Sequence, residues 1–115
     1  MIAMANTTAV LFDHKTEMIR AVTYDGSLED LLDILKVNCI DTIRLDDEHI
    51  IIVDDEGFVN QIESGFGVQY KDKRVEFAGS GLLTGDSYGS NAPITLNLAD
   101  LKIDVLKFKY ERSEE

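Results

Sequence analysis

Asp46-Asp47-Glu48-His49-Ile50-Ile51-Ile52-Val53-Asp54-Asp55-Glu56-Gly57 is the stretch on which the fold turns. Ile50 to Val53 are apolar and β-branched at every position, so the segment has no face to offer water and predicts a strand interior to a sheet. Acidic triplets bracket it, and aspartate is a common turn former. The pattern therefore reads as a strand between two turns, with Gly57 available for the positive φ that a short hairpin often needs.

Working outward, Ile40, Ile43 and Leu45 lead into the first turn and Phe58-Val59 follow the second, which predicts two or three strands joined by acidic turns. Thr7 to Phe12 and Glu17 to Tyr24 are β-branched and apolar around the polar Asp13-His14-Lys15-Thr16, the signature of a hairpin. In its second arm Met18, Arg20, Val22 and Tyr24 alternate with Ile19, Ala21 and Thr23, so neither face is cleanly polar and a central strand is expected. Between the two regions, Ser27 opens an S-x-x-D cap in which its hydroxyl would accept from the Asp30 amide. The helix predicted from Leu28 to Lys36 stacks Leu28, Leu31, Leu32 and Leu35 on one stripe, with Glu29 and Asp30 at the positive end of the helix dipole and Lys36 at the negative end.

Downstream the pattern weakens. Asn60 to Gln69 is broken by Gly65-Phe66-Gly67 and reads as a short helix or an irregular loop. Arg74 to Ala78 alternates with Val75 and Phe77 inward, and Gly81-Leu82-Leu83 is placed to pair with it across a Gly79-Ser80 turn. Gly85 to Pro93 collects Gly, Asp, Ser, Asn and Pro and reads as the clearest loop. From Asn97 to Tyr110 the residues Leu98, Leu101, Val105 and Phe108 share a helical face while other positions alternate as a strand would; the helix is favoured. These elements make an α+β fold, a small, mostly antiparallel sheet of about five to six strands with one or two helices packed on it. Residues 1–115 form one domain, with 111–115 expected to fray.

Charge is the compositional extreme. The chain has 22 acidic and 11 basic residues, net -11, with 44% hydrophobic residues sufficient for an ordinary core. Through Gly57 there are 13 acidic residues against 4 basic, and from Phe58 onward 9 against 7. Direct nucleic-acid binding is disfavoured, because neutralising phosphates needs clustered Lys and Arg. No run reaches membrane-span length, and Met1 to Val10 lacks the basic and apolar segments of a signal peptide, so a cytoplasmic location and no membrane partner are expected.

The order of elements from Ser27 onward resembles the family described as domain of unknown function three-eight-four-six, small proteins common in bacteriophage and other mobile-element genomes. The residues that carry the resemblance are the helix Leu28 to Lys36, the strand Asp41 to Leu45, the run Ile50 to Gly57, and Gly79 to Asp86. At the acidic turn the family has Asn-Glu-Glu-Gly-like residues where this chain has Asp54-Asp55-Glu56-Gly57, and Asn38-Cys39 stands where a Gly-Gly pair is expected. The resemblance implies a phage or mobile-element origin and a small α+β fold, and, for a phage-encoded chain, the host-cell cytoplasm. It implies no catalytic residue.

Chemistry-bearing residues are few. Cys39 is the sole cysteine, which excludes an intramolecular disulfide and a multi-thiolate zinc site; Val37 and Ile40 beside it predict a small core residue. His14 and His49 lie outside any zinc-hydrolase spacing and are expected half-solvated at strand ends. A nucleophilic pair of Cys39 with either histidine is the one thiol chemistry open to the chain, and the apolar neighbours argue against it. Asp46 to Glu48 and Asp54 to Glu56 cannot share a metal if they cap opposite ends of a strand, since four to six residues span roughly 13–20 Å; solvated turns are the plainer reading. Neither a metal, a cofactor nor catalysis is expected.

Two functions are open. In the first, the chain is a non-enzymatic interaction protein that uses Asp46, Asp47, Glu48, Asp54, Asp55 and Glu56, joined by Glu29, Asp30 and Asp33, to steer onto a host protein with a basic surface and modulate it, in the sharpest version by mimicking nucleic acid in an anti-defence role. In the second it binds a small ligand with its glycine-rich loops, through Phe66, Tyr70, Lys71, Lys73, Arg74 and Tyr88. Acidity that only confers solubility is the bland alternative to the first.

Overall fold

The computed structural model describes residues 7–87 and 90–110; Tyr88 and the tail 111–115 lie outside the described residues. In chain order the elements are β1 (Thr7–Asp13), β2 (Met18–Tyr24), α1 (Leu28–Leu35), β3 (Ile40–Asp46), β4 (His49–Asp54), β5 (Ser64–Tyr70), β6 (Lys73–Ala78), β7 (Gly81–Ser87), β8 (Ser90–Ala92), a 3₁₀ turn (Leu98–Asp100) and β9 (Leu101–Lys107). The fold is α+β and mostly antiparallel, but the strands exceed the expected single sheet. They form a six-stranded sheet, ordered β2-β1-β7-β4-β3 with β8 added to β7, and a three-stranded sheet, β6-β5-β9.

Ile50 to Val53 lies inside the larger sheet, as its uniform apolarity requires, with β4 hydrogen-bonded to β3 on one side and β7 on the other. Successive side chains point to opposite faces. Ile51 and Val53, with Val10, Phe12 and Leu83, meet Phe66, Val68, Val75 and Phe77 of the smaller sheet. Ile52, with Ala9, Leu11 and Leu82, meets Leu31 and Leu35 of α1. The molecule is thus three layers deep, and Phe12, Phe66 and Phe77 pack in tilted and edge-to-face pairs at 5.5–6.1 Å between centroids in the sheet-on-sheet layer.

The β1–β2 hairpin and α1 fall where the sequence places them, and Ser27 Oγ accepts the Asp30 amide at 3.0 Å. Leu28 is exposed rather than part of the buried stripe, and Lys36 is the left-handed C-cap, φ 57°, instead of a last-turn residue. Several expectations are corrected. β2 is an edge strand, since only β1 flanks it and the three-stranded sheet is too narrow to cover it, leaving Met18 62% exposed. Gly57 does not have a positive φ; it is required because a Cβ there would meet the Ala78 carbonyl oxygen at 2.5 Å. Phe58-Val59 belong to a loop.

The expected irregular stretch holds for 60–63, and from Ser64 it is replaced by β5. Its glycines are strand residues, Gly65 against the Phe77 backbone and Gly67 beneath the Arg74 guanidinium. β7 does not pair with β6. Leu82 and Leu83 need burial on both faces, which only the slot between β1 and β4 supplies, so the Gly79 turn, φ 87°, carries the chain to the other sheet. The loop expected at 85–93 is in part the β7–β8 hairpin. The favoured terminal helix is a 3₁₀ turn and then β9, because β5 offers an in-register partner from Ser64↔Lys107 to Tyr70↔Leu101. Tertiary pairing overrides an ambiguous periodicity there.

Candidate functional site

The registers place the Tyr24 end of β2, the start of β1, the β3–β4 turn and the far end of β7 at one end of the large sheet: Thr7 pairs Tyr24, Asp46 pairs His49 and His49 pairs Gly85. The turn itself is built by Asp46. A bulge after Arg44 re-aims its side chain, and Asp46 Oδ1 accepts the Glu48 amide and His49 Nδ1–H, both at 2.8 Å. Burial works to raise the Asp46 carboxyl, but those two hydrogen bonds outweigh it and hold it below the usual aspartate value.

His49 is 2% exposed, which corrects the half-solvated expectation. Its Nε2 accepts the Thr95 amide at 2.9 Å and the Leu96 amide at 3.3 Å. With Nδ1 donating and Nε2 accepting, the imidazole ties the β3–β4 turn to the segment that crosses from the large sheet to the small one. Neither nitrogen is left for a substrate proton. Thr95 Oγ1 donates onward to Glu48 Oε2 at 3.0 Å.

Around this staple lies a cleft of about 370 Å³, lined by Asp46, Asp47, Glu48, His49, Tyr70, Lys71, Thr95 and Leu96. The Asp47 carboxylate has no partner among the described residues. Lys71, whose backbone is left-handed at φ 56°, sits over the Tyr70 ring at 5.1 Å. Arg44 binds Asp86 and also donates to the Asp46 and Asp47 carbonyls. Because α1 starts just after Tyr24, its Glu29 and Asp30 are carried to this same end, and Asp72 comes with the β5–β6 turn.

Asp54, Asp55 and Glu56 do not join this surface. Asp54 closes β4 and Asp55 and Glu56 follow it, at the opposite end of the sheet, where Asp54 Oδ1 accepts the Glu56 amide at 2.9 Å. The acidic residues expected as one contact face are therefore two, with Asp33 on the helix between them. Of the ligand-binding set, Phe66 is fully buried between the sheets and unreachable, and Arg74 is tied to Glu76 at 3.0 Å and Asp104 at 3.1 Å. Tyr70, Lys71 and Lys73 do gather, with Leu45, Asp46 and Asp72, about a shallow recess of roughly 290 Å³.

Cys39 is exposed, not core, because it precedes β3 at a rim where its carbonyl accepts the Asp55 amide. Among the described residues no three His, Cys, Asp or Glu side chains are grouped to hold a metal ion, and no helix is long and apolar enough to cross a membrane. Thr95 and Leu96 carry no sequence signal for their place in the cleft; Asp86 and Asp72 could have been recruited only by knowing the register. No protein-family model matches the chain, nor does any curated protein or solved structure.

Proposed function

We propose that the protein is a non-enzymatic interaction domain of phage or mobile-element origin that docks its acidic end onto the basic surface of a host protein and modulates it in the host cytoplasm. The observation that supports this is the gathering of Asp46, Asp47, Glu48, Asp72, Asp86, Glu29 and Asp30 at one end of the sheet, an excess of carboxylates over the cations Arg44, Lys71 and Lys73 that share it, in a chain of net charge -11. A concentrated field of one sign raises encounter rates and orients the partner, while each exposed pair adds little affinity. Nucleic-acid mimicry is the finer version, with these carboxylates standing in for phosphates in a basic groove.

The test is capture of partners from host lysate at low and high salt by the wild-type chain, by Asp47→Lys/Glu48→Lys and by Asp55→Lys/Glu56→Lys. Asp46 is left intact because it holds His49. The expected result is a partner lost at high salt and lost to the first variant but retained by the second. A partner kept by both variants at low salt would remove the acidic end from the interaction. A second reading, small-ligand binding, has the Tyr70-Lys71-Lys73 recess behind it and predicts that Lys71→Gln/Lys73→Gln abolishes binding that salt barely affects.

A further inference from the structure

At the end of the molecule remote from the acidic cleft lies a more enclosed cavity of about 280 Å³, between the C-terminus of α1 and the β1–β2 loop. Its lining is part apolar and part polar: the buried Leu11 and Leu35, with the half-buried Ile34, Val37 and Ile62, make the apolar part. Its rim carries three of the chain's cations, Lys15, Arg20 and Lys36, in a protein whose charge is otherwise of the opposite sign.

The rim charges do not cancel locally. Arg20 is consumed by Asp13, Nη1 to Oδ2 at 2.8 Å, and Asp13 Oδ1 also accepts the Lys15 amide at 3.0 Å. Asp54 turns an oxygen toward the Glu56 amide. Lys15 and Lys36 form no ion pair among the described residues, so two ammonium groups face one remaining rim carboxylate and leave a charge of +1 among the lining side chains, with Asp55 and Glu56 outside the lining. His14 adds no free donor on its backbone side, since its amide is given to Ser80 Oγ at 3.1 Å and its carbonyl accepts Ser64 Oγ at 3.2 Å. An apolar floor beneath an uncompensated cationic rim is complementary to a molecule with one negative head and a short hydrocarbon body. The volume, at the small end for ligand sites, limits that body to a short chain.

We propose that this cavity binds a small monocarboxylate with a short alkyl tail, its head between Lys15 and Lys36 and its tail on Leu11, Leu35 and Ile62. The site is separate from the acidic end and independent of the interaction proposed for it. The test is a titration of the isotope-labelled protein, followed by amide resonances, with octanoate, with octanol as the same tail without the charge, and with acetate as the same charge without the tail. Octanoate is expected to shift residues 11–15, 34–37 and 79–80 saturably, and the other two probes to bind at least several-fold more weakly. Lys15→Gln/Lys36→Asn, in which asparagine tolerates the left-handed backbone at position 36, should weaken octanoate about tenfold while leaving the remaining resonances in place. Equal shifts from octanol, undiminished binding to the double variant, shifts confined to other residues, or no saturation would each overturn the assignment.

Discussion

His49 joins two parts of the chain that have little else in common. Replacing it with leucine keeps the volume but strands the Thr95 and Leu96 amides and leaves Asp46 Oδ1 with the Glu48 amide alone, so His49→Leu should lower stability by about 2–4 kcal/mol, read as a reduced urea midpoint with unchanged slope. A second residue-scale prediction concerns His14. Burial, with Lys15 nearby, depresses its pKa below the usual 6.5. The unfolded chain then takes up the proton first, so this contribution to stability is complete above pH 6.5 and is lost as the pH falls through that value toward the folded one. His14→Asn should flatten the stability profile in that window. Asp13 behaves separately: the Arg20 hydrogen bond lowers its pKa from 3.8, so its contribution persists above that pH and is lost only below it. Arg20→Ala should cost about 0.5 kcal/mol at neutral pH, a small figure because the pair is largely solvated, and the deficit should vanish in stronger acid.

Elements were legible where local chemistry and burial agree. α1 carries its own cap and an apolar stripe; Ile50 to Val53 can only be interior; the β1–β2 hairpin is two β-branched, apolar runs around a polar turn. β5 and β9 were not legible, because their identity is decided by each other. The glycines of β5 erase its alternation, and β9 fits a helix nearly as well until β5 is there to pair with it. The same applies to the acidic end. The triplet at 46–48 and its separation from 54–56 can be read from strand length alone, whereas Asp86, Asp72 and Thr95 are recruited by registers that no local pattern encodes. The glycines offer a direct check. An added Cβ at Gly65 would run into the Phe77 backbone carbonyl, which cannot yield without breaking the ladder, while at Gly67 it meets only the movable end of Arg74. Gly65→Ala should destabilise by about 2–3 kcal/mol and Gly67→Ala by less than about 1 kcal/mol, compared by urea unfolding.

At the scale of the whole molecule, charge and architecture pull in different directions. Carboxylates gathered at one end and repeated at the other repel one another in the folded state, so moderate salt should raise thermal stability even as it weakens a steered complex; Debye screening reaches about 10 Å at 0.1 M. A melting temperature that fell with added sodium chloride would contradict that balance. At one edge of each, the two sheets end on β2 and β9, joined at one corner by the Glu17–Lys107 ion pair and otherwise unpaired along those edges among the described residues. Met18, Ile19 and Val105 are exposed beside those edges, and no bulge, proline or covering segment among the described residues blunts them. Mutual repulsion between copies is then what keeps such templates from recruiting one another, and it disappears near the isoelectric point of about 4.4. Acidification to that pH should convert the folded protein into cross-β polymer seeded at β2, and a lysine at position 19 should slow the nucleation phase seen by thioflavin fluorescence.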